Sequence, residues 1–263
     1  MNKTEQRQTT GHQTESFIIS NDRQISFNDD WDTGIGGGLW STGLAMSKYF
    51  ASHVSQIQSD LQSLQFITKK QDVGLSAIEL GSGNSFLSAV FAPVSVGIVS
   101  ELVVTDLADH LELMEKTFAV NQTSLDWQKQ KIEKSENQTF DIVQCAGTLM
   151  NGKMKLVVAE HSWGKFAALP ACIDKKFDFI FGSDVAYHGY QPLLIQSLLR
   201  LSHNDTVILI GCTMYDSKPQ FFRDLIKAGF RYERLKDNLV ESQFRGTTFG
   251  IFVIQRLSTT HSK

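Results

Sequence analysis

The sequence predicts one α/β domain built on a doubly wound, mostly parallel seven-stranded sheet that ends in an antiparallel β-hairpin. Three observations predict it. Five short runs, AIEL (77–80), LVVTDL (102–107), KLVVAEH (155–161), FDFIFGSDV (177–185) and TVILIGC (206–212), are apolar almost throughout, the pattern of parallel strands covered on both faces. Helical periodicity recurs between such runs, so strand and helix alternate. The last two runs, FRYERL and TTFGIFVIQRL, have no helix between them and must pair antiparallel at a sheet edge.

With 263 residues, 41% apolar and 20% charged, the chain can bury a full core, and residues 17–263 read as one domain. Its 25 basic and 28 acidic residues leave a net charge of -3, which gives no general field for nucleic-acid phosphates. Cys145, Cys172 and Cys212 are odd in number and lack zinc-ligand spacing, so neither a metal site nor a disulfide framework is expected and a reducing compartment fits. The polar first residues show no secretory core, and no run of about 18 apolar residues is present to span a bilayer. The expected setting is the cytoplasm, with the nucleus open, and the expected state is a monomer.

Taken in order, residues 1–16 are polar and read as a loose tail. Phe17 to Phe27 places two short apolar runs around Asn21-Asp22-Arg23, an N-terminal hairpin. Glycines crowd 34–38 ahead of Leu39-Trp40, a lead-in where backbone can approach another surface closely. Leu44, Met46, Tyr49 and Phe50 then mark an amphipathic helix. The strand AIEL runs into Gly81-Ser82-Gly83, and a helix starts near Phe86. After LVVTDL, Asp109 and Glu112 have capping-box spacing, and Leu111, Met114 and Phe118 share a helical face. The polar stretch within 122–150 reads as an inserted excursion. Helices follow at 193–201 and about 218–228, the second with Ser217 as cap, Pro219 in its first turn and Gly229 past its end.

The chemistry concentrates at the carboxyl ends of the strands, where open α/β sheets bind ligands. Glu79-Leu80-Gly81-Ser82-Gly83 offers bare backbone to a cofactor, although two spaced glycines alone could be a plain turn. A dinucleotide fingerprint wants a third glycine where Phe86 stands. A carboxylate at Glu79 suits instead a cofactor that carries positive charge, which favours S-adenosylmethionine. Asp106 ends the second strand, where an acid can accept both ribose hydroxyls, or simply close a turn. Asp184 and Tyr187, three apart after FDFIFG, can both face a pocket or cap and pack a turn. Trp40 and Trp163 could wall a flat adenine, though a tryptophan is more often core. His110, His161 and His188 read as surface or satisfied groups, His188 lying beside Tyr187.

Taken together these residues resemble methyltransferase family 16, the seven-strand protein lysine methyltransferases with an Asp-x-x-Tyr motif after the fourth strand. The resemblance runs from about Gly34 to Arg256 through Leu39-Trp40, Glu79-x-Gly81-x-Gly83, Thr105-Asp106, Ser162-Trp163-Gly164 and Ser183-Asp184-Val185-Ala186-Tyr187. It implies a class I S-adenosylmethionine-dependent methyltransferase fold and transfer of methyl to a lysine of a non-histone protein. It further implies that Trp40, Glu79, Gly81, Gly83, Asp106, Trp163 and Ser183 border the cofactor, while Asp184 and Tyr187 line the target channel. Ser85 stands where that family often has glycine, a change suited to a side chain that caps the next helix. The competing readings are a histidine or small-molecule methyltransferase, the excursion serving as a lid, or a scaffold that binds the cofactor without turnover.

Overall fold

The alternation of apolar strands and amphipathic helices folds as the periodicity dictates. A computed structural model describes residues 14–20, 23–28, 37–131, 143–166, 172–187, 189–214, 219–246 and 248–257. In chain order the elements are β1 (Thr14–Ser20), β2 (Arg23–Asn28), α1 (Ser41–Ser52), α2 (Val54–Ile67), β3 (Leu75–Leu80), α3 (Phe86–Val94), β4 (Val99–Asp106), α4 (Leu111–Val120), α5 (Gln122–Leu125), β5 (Gln128–Gln130), β6 (Val143–Leu149), β7 (Met154–Glu160), β8 (Phe177–Ser183), α6 (Gln191–Leu201), β9 (Ser202–Thr213), α7 (Pro219–Lys227), β10 (Phe230–Arg234) and β11 (Phe249–Arg256).

The main sheet has the order β10-β11-β9-β8-β3-β4-β7-β6-β5. Strands β7, β4, β3, β8 and β9 run parallel, and β11 and β10 close that side antiparallel. The chain winds outward from β3 through β4 to β7, then returns to β8 on the other flank of β3. The direction of winding therefore reverses between β3 and β8, and the carboxyl ends at such a switch point are where open α/β sheets bind ligands. Two buried apolar clusters cover the two faces.

The sheet holds two strands more than the seven expected. These are β5 and β6, which come from the excursion and extend β7 antiparallel. In β6 burial alternates along the chain, the mark of an antiparallel strand with one face covered. The apolar anchor is Trp127, buried against Phe118 at 6.1 Å between ring centroids. Gly147 lies beneath it, where a Cβ would meet the Gln128 carbonyl oxygen and the Trp127 ring.

Two local expectations need correction. Asp109 and Glu112 form no capping box: Ala108–His110 is a 3-10 turn, α4 starts only at Leu111, and no side chain caps it. Asp109 instead pairs with the His110 ring at 3.0 Å. Strand β1 begins at Thr14, inside the stretch read as a tail. The N-terminal hairpin is otherwise as expected, pairing antiparallel and packing Phe17 and Phe27 on Phe86, at 5.1 and 5.2 Å. Asn121 exchanges two hydrogen bonds with the Ser26 backbone, at 2.7 and 2.9 Å, which fixes the hairpin over the start of α3.

Residues 1–13, the Asn21-Asp22 turn, Gly34 to Gly36, residues 132–142, His188 and Ser217 lie outside the described residues. Among the described residues no helix is long and apolar enough to cross a membrane.

Candidate active site

Strand β3 ends at Leu80, and three left-handed residues turn the chain into α3: Gly81 (φ 64°), Gly83 (φ 60°) and Ser85 (φ 64°). At Gly81 two constraints coincide. An added Cβ would fall 2.7 Å from Val185 and 2.9 Å from the Trp163 ring, so the bare backbone is what lets that indole close on the turn. Ser85 does not cap α3, as the sequence suggested. It adopts the left-handed conformation itself, and the cap comes from Asn84, whose Oδ1 accepts the Phe86 N–H at 3.0 Å. The Asn84 amide also donates to the Gly38 carbonyl at 2.8 Å, tying the lead-in before Trp40 to the glycine turn.

Glu79 lies beneath this turn, 1% exposed. Its carboxylate accepts the Ser82 and Ser88 hydroxyls at 2.8 and 2.5 Å. Burial pushes its pKa up to about 7, the serines oppose the rise and the nearby Asp106 charge adds to it. A direct charge contact with the cofactor, expected from the sequence, meets a carboxylate sealed under the loop it supports.

Asp106 ends β4 one strand away. Its Oδ2 accepts the Gly83 N–H at 2.6 Å and its Oδ1 the Leu107 N–H at 2.7 Å, with the His110 ring 3.4 Å off. Burial raises its pKa while the two backbone N–H groups pull it down. Each oxygen keeps a lone pair beyond its one backbone donor.

Trp163 is carried by the turn after β7. That turn is pinned by the His161 N–H to the Asp106 carbonyl at 2.9 Å and by Ser197, whose hydroxyl oxygen lies 3.2 Å from both His161 Nε2 and the Gly164 N–H. His161 is buried, not a surface group, and burial lowers its pKa to about 4. It is therefore neutral at pH 7.

The turn after β8 supplies the rest. Asp184 takes φ 56°, rare for a residue with a side chain, and its N–H bonds the Gly211 carbonyl at 2.9 Å. Tyr187 sets its ring 5.9 Å from Trp163. Its pKa is raised by burial and then by the charge of Asp106, which places acid and phenol on one rim. Ser183 faces the start of α1: a Cβ at Gly43 would sit 3.3 Å from its hydroxyl. Trp40, the residue before α1, is 46% exposed.

Gly81, Gly83, Asp106, Trp163 and Tyr187 thus meet directly, while Ser183 and Trp40 flank them through α1 and the Asn84 bond. Sequence reasoning missed Asn84, Val185 and Ser197, because their partners lie 46, 104 and 36 residues away along the chain. The donor set fits S-adenosylmethionine: a carboxylate with spare lone pairs for a vicinal diol, bare glycine backbone at a helix start, and an indole wall.

Residues 19–155 match the family profile described as lysine methyltransferase. The chain belongs to that family. As a lysine methyltransferase it is an S-adenosylmethionine-dependent enzyme. The protein N-lysine methyltransferase METTL21A of Mus musculus is 23% identical to it over 222 residues, covering 84% of this chain and 80% of that protein. METTL21A of Danio rerio is 24% identical over 219 residues, covering 81% and 78%. A solved S-adenosylmethionine-dependent methyltransferase from Aquifex aeolicus aligns over 78% of this methyltransferase and 97% of its own chain, at 12% identity and a TM-score of 0.44.

Proposed function

We propose that the enzyme transfers methyl to the side-chain nitrogen of a lysine in a protein substrate, with Asp184 and Tyr187 on the target side of the rim. The observation that carries this reading is the juxtaposition of the Gly81 turn, Asp106, Trp163 and Tyr187 at one switch point, in a chain of the lysine methyltransferase family. The names of the METTL21A relatives support a protein as the acceptor.

S-adenosylmethionine, when bound, supplies an electrophilic methyl on a cationic sulfur. Asp106 binds the ribose hydroxyls through its spare lone pairs. Gly81 and Gly83 present bare backbone, and Trp40, Trp163 and Ser183 border the nucleoside. Glu79 acts through Ser82 and Ser88 to hold the turn, as a positioning residue.

On the target side, a lysine amine with an ordinary pKa of about 10.4 must shed a proton before it can attack. Withdrawal from water between Trp163 and Tyr187 lowers that pKa. Asp184 favours the ammonium form, so its role is to dock and aim the amine, and alignment supplies most of the acceleration. Tyr187 gives an aromatic wall and a hydrogen-bonding point.

Calorimetry of S-adenosylhomocysteine with Asp106→Ala tests the cofactor half. Loss of charge-assisted hydrogen bonds should weaken binding roughly tenfold to hundredfold, and unchanged affinity removes the ribose role. Incubation with labelled S-adenosylmethionine and a cell lysate tests the acceptor: label in a protein band is expected, and label confined to small metabolites overturns a protein target.

A further inference from the structure

The aromatic contacts do not stop at Tyr187. Tyr190 places its ring 5.2 Å from that of Tyr187 at an interplanar angle of 52°. Together with the Trp163–Tyr187 pair, at 5.9 Å and 50°, this makes a line of three tilted rings running outward from the Gly81 turn. Tyr187 and Tyr190 are 41% and 51% exposed, so core packing does not explain them. The backbone that carries the outer ring is fixed, because the Tyr190 carbonyl accepts the Leu193 and Leu194 N–H groups at 3.0 Å each and so opens α6.

Two rings tilted by about half a right angle form an open notch. With centroids 5.2 Å apart, a cation seated over the open side of the pair lies within about 6 Å of both, the range of cation–π attraction. The neighbouring strand ends are acidic: Asp106 and Glu160 pair across β4 and β7, and Asp109 is largely exposed. Of these, the Asp106 carboxylate acts on the Tyr187 phenol, and negative charge beside that ring suits a cationic visitor.

We propose that Tyr190 is a specificity-determining residue: with Tyr187 it forms an outer notch that receives the target lysine as an ammonium ion, ahead of the inner Trp163–Tyr187 notch where the amine is aimed. The inference rests on the lysine-directed reading above and adds to it the residue that selects a cation at the surface.

The test uses the full chain saturated with S-adenosylhomocysteine, titrated by NMR with Nα-acetyl-Nε-trimethyllysine methylamide and with its neutral tert-butyl isostere. The cation should bind more tightly than the isostere. Tyr190→Leu should weaken the cation about twofold to fivefold, and Tyr190→Phe, which keeps the ring face, should match the wild type. Equal binding of cation and isostere, no response of the wild type, or a Tyr190→Leu indistinguishable from it overturns the proposal. Calorimetry of S-adenosylhomocysteine separates the two levels. If the wild type fails to bind it, the cofactor reading falls and takes this one with it; if all three proteins bind it alike while Tyr190→Leu leaves cation affinity unchanged, only the role of Tyr190 is lost.

Discussion

The two ends of β3 treat buried acids in opposite ways. At the amino end Asp178, fully enclosed, accepts Lys70 Nζ, the Ser76 N–H and the Ser76 hydroxyl at 2.8 Å each, with His203 at 3.1 Å. Burial alone would raise its pKa, and His203, Lys70 and Ser76 overcome this and hold it well below the usual carboxylate range. At the carboxyl end Glu79 and Asp106 have, among the described residues, fewer donors and no lysine or arginine partner, and burial pushes both pKa values up. One edge spends its hydrogen bonds on holding four segments together. The other leaves acceptor capacity open, which costs stability and leaves room for a ligand.

The sharpest break of this contrast is Asp178→Ala. Removing the acid strands the Ser76 N–H and should cost about 3 kcal/mol in denaturant unfolding while S-adenosylhomocysteine affinity stays put; lost affinity with unchanged stability would reverse the assignment of the edges. Because the folded pKa of Asp178 is depressed, its contribution is present above the unfolded value and disappears as pH falls below about 4. The variant should therefore show less acid sensitivity than the wild type.

Asp184→Ala should reduce methyl transfer at least about hundredfold with cofactor affinity retained, measured as kcat against calorimetric binding. Full turnover would move the target side elsewhere.

Glu79 gives a smaller and opposite pH effect. Its folded pKa of about 7 stands above the unfolded value, so the stability linked to its proton is complete below about 4.5 and is lost as pH rises through about 7. Relative to wild type, Glu79→Gln should gain on the order of 2 kcal/mol on going from pH 5 to pH 8. A pH-independent difference would show that Glu79 is ionised throughout.

The smallest change is Ser85→Gly, which relieves the left-handed backbone and should raise stability by roughly 0.5 kcal/mol. A loss on that substitution would mean that the Ser82–Ser85 contact at 3.3 Å outweighs the strain.

The carboxyl edge was far more legible in the sequence than the amino edge. A glycine turn, an acid some twenty residues on and an acid three before a tyrosine are short patterns, each contained in one strand end. Asp178 sits inside the apolar run FDFIFG and gains its meaning from partners 102, 108 and 25 residues distant, which no local pattern reveals. Helix α2 was missed for a related reason: only Ile57, Leu61 and Leu64 are buried along it, too sparse a stripe to stand out. The two added strands do not stand out because β5 is wholly exposed and polar and β6 buries only alternate residues.

The backbone at Asp184 carries a consequence for anyone who would toughen this enzyme. A non-glycine residue held at φ 56° forgoes about 1 kcal/mol that glycine would recover. A library selected only for surviving heat will be drawn to glycine at that codon and, on the target-side role proposed for Asp184, will harvest robust proteins that no longer turn over. Any such campaign needs a turnover screen running beside the thermal one, or residue 184 frozen from the outset.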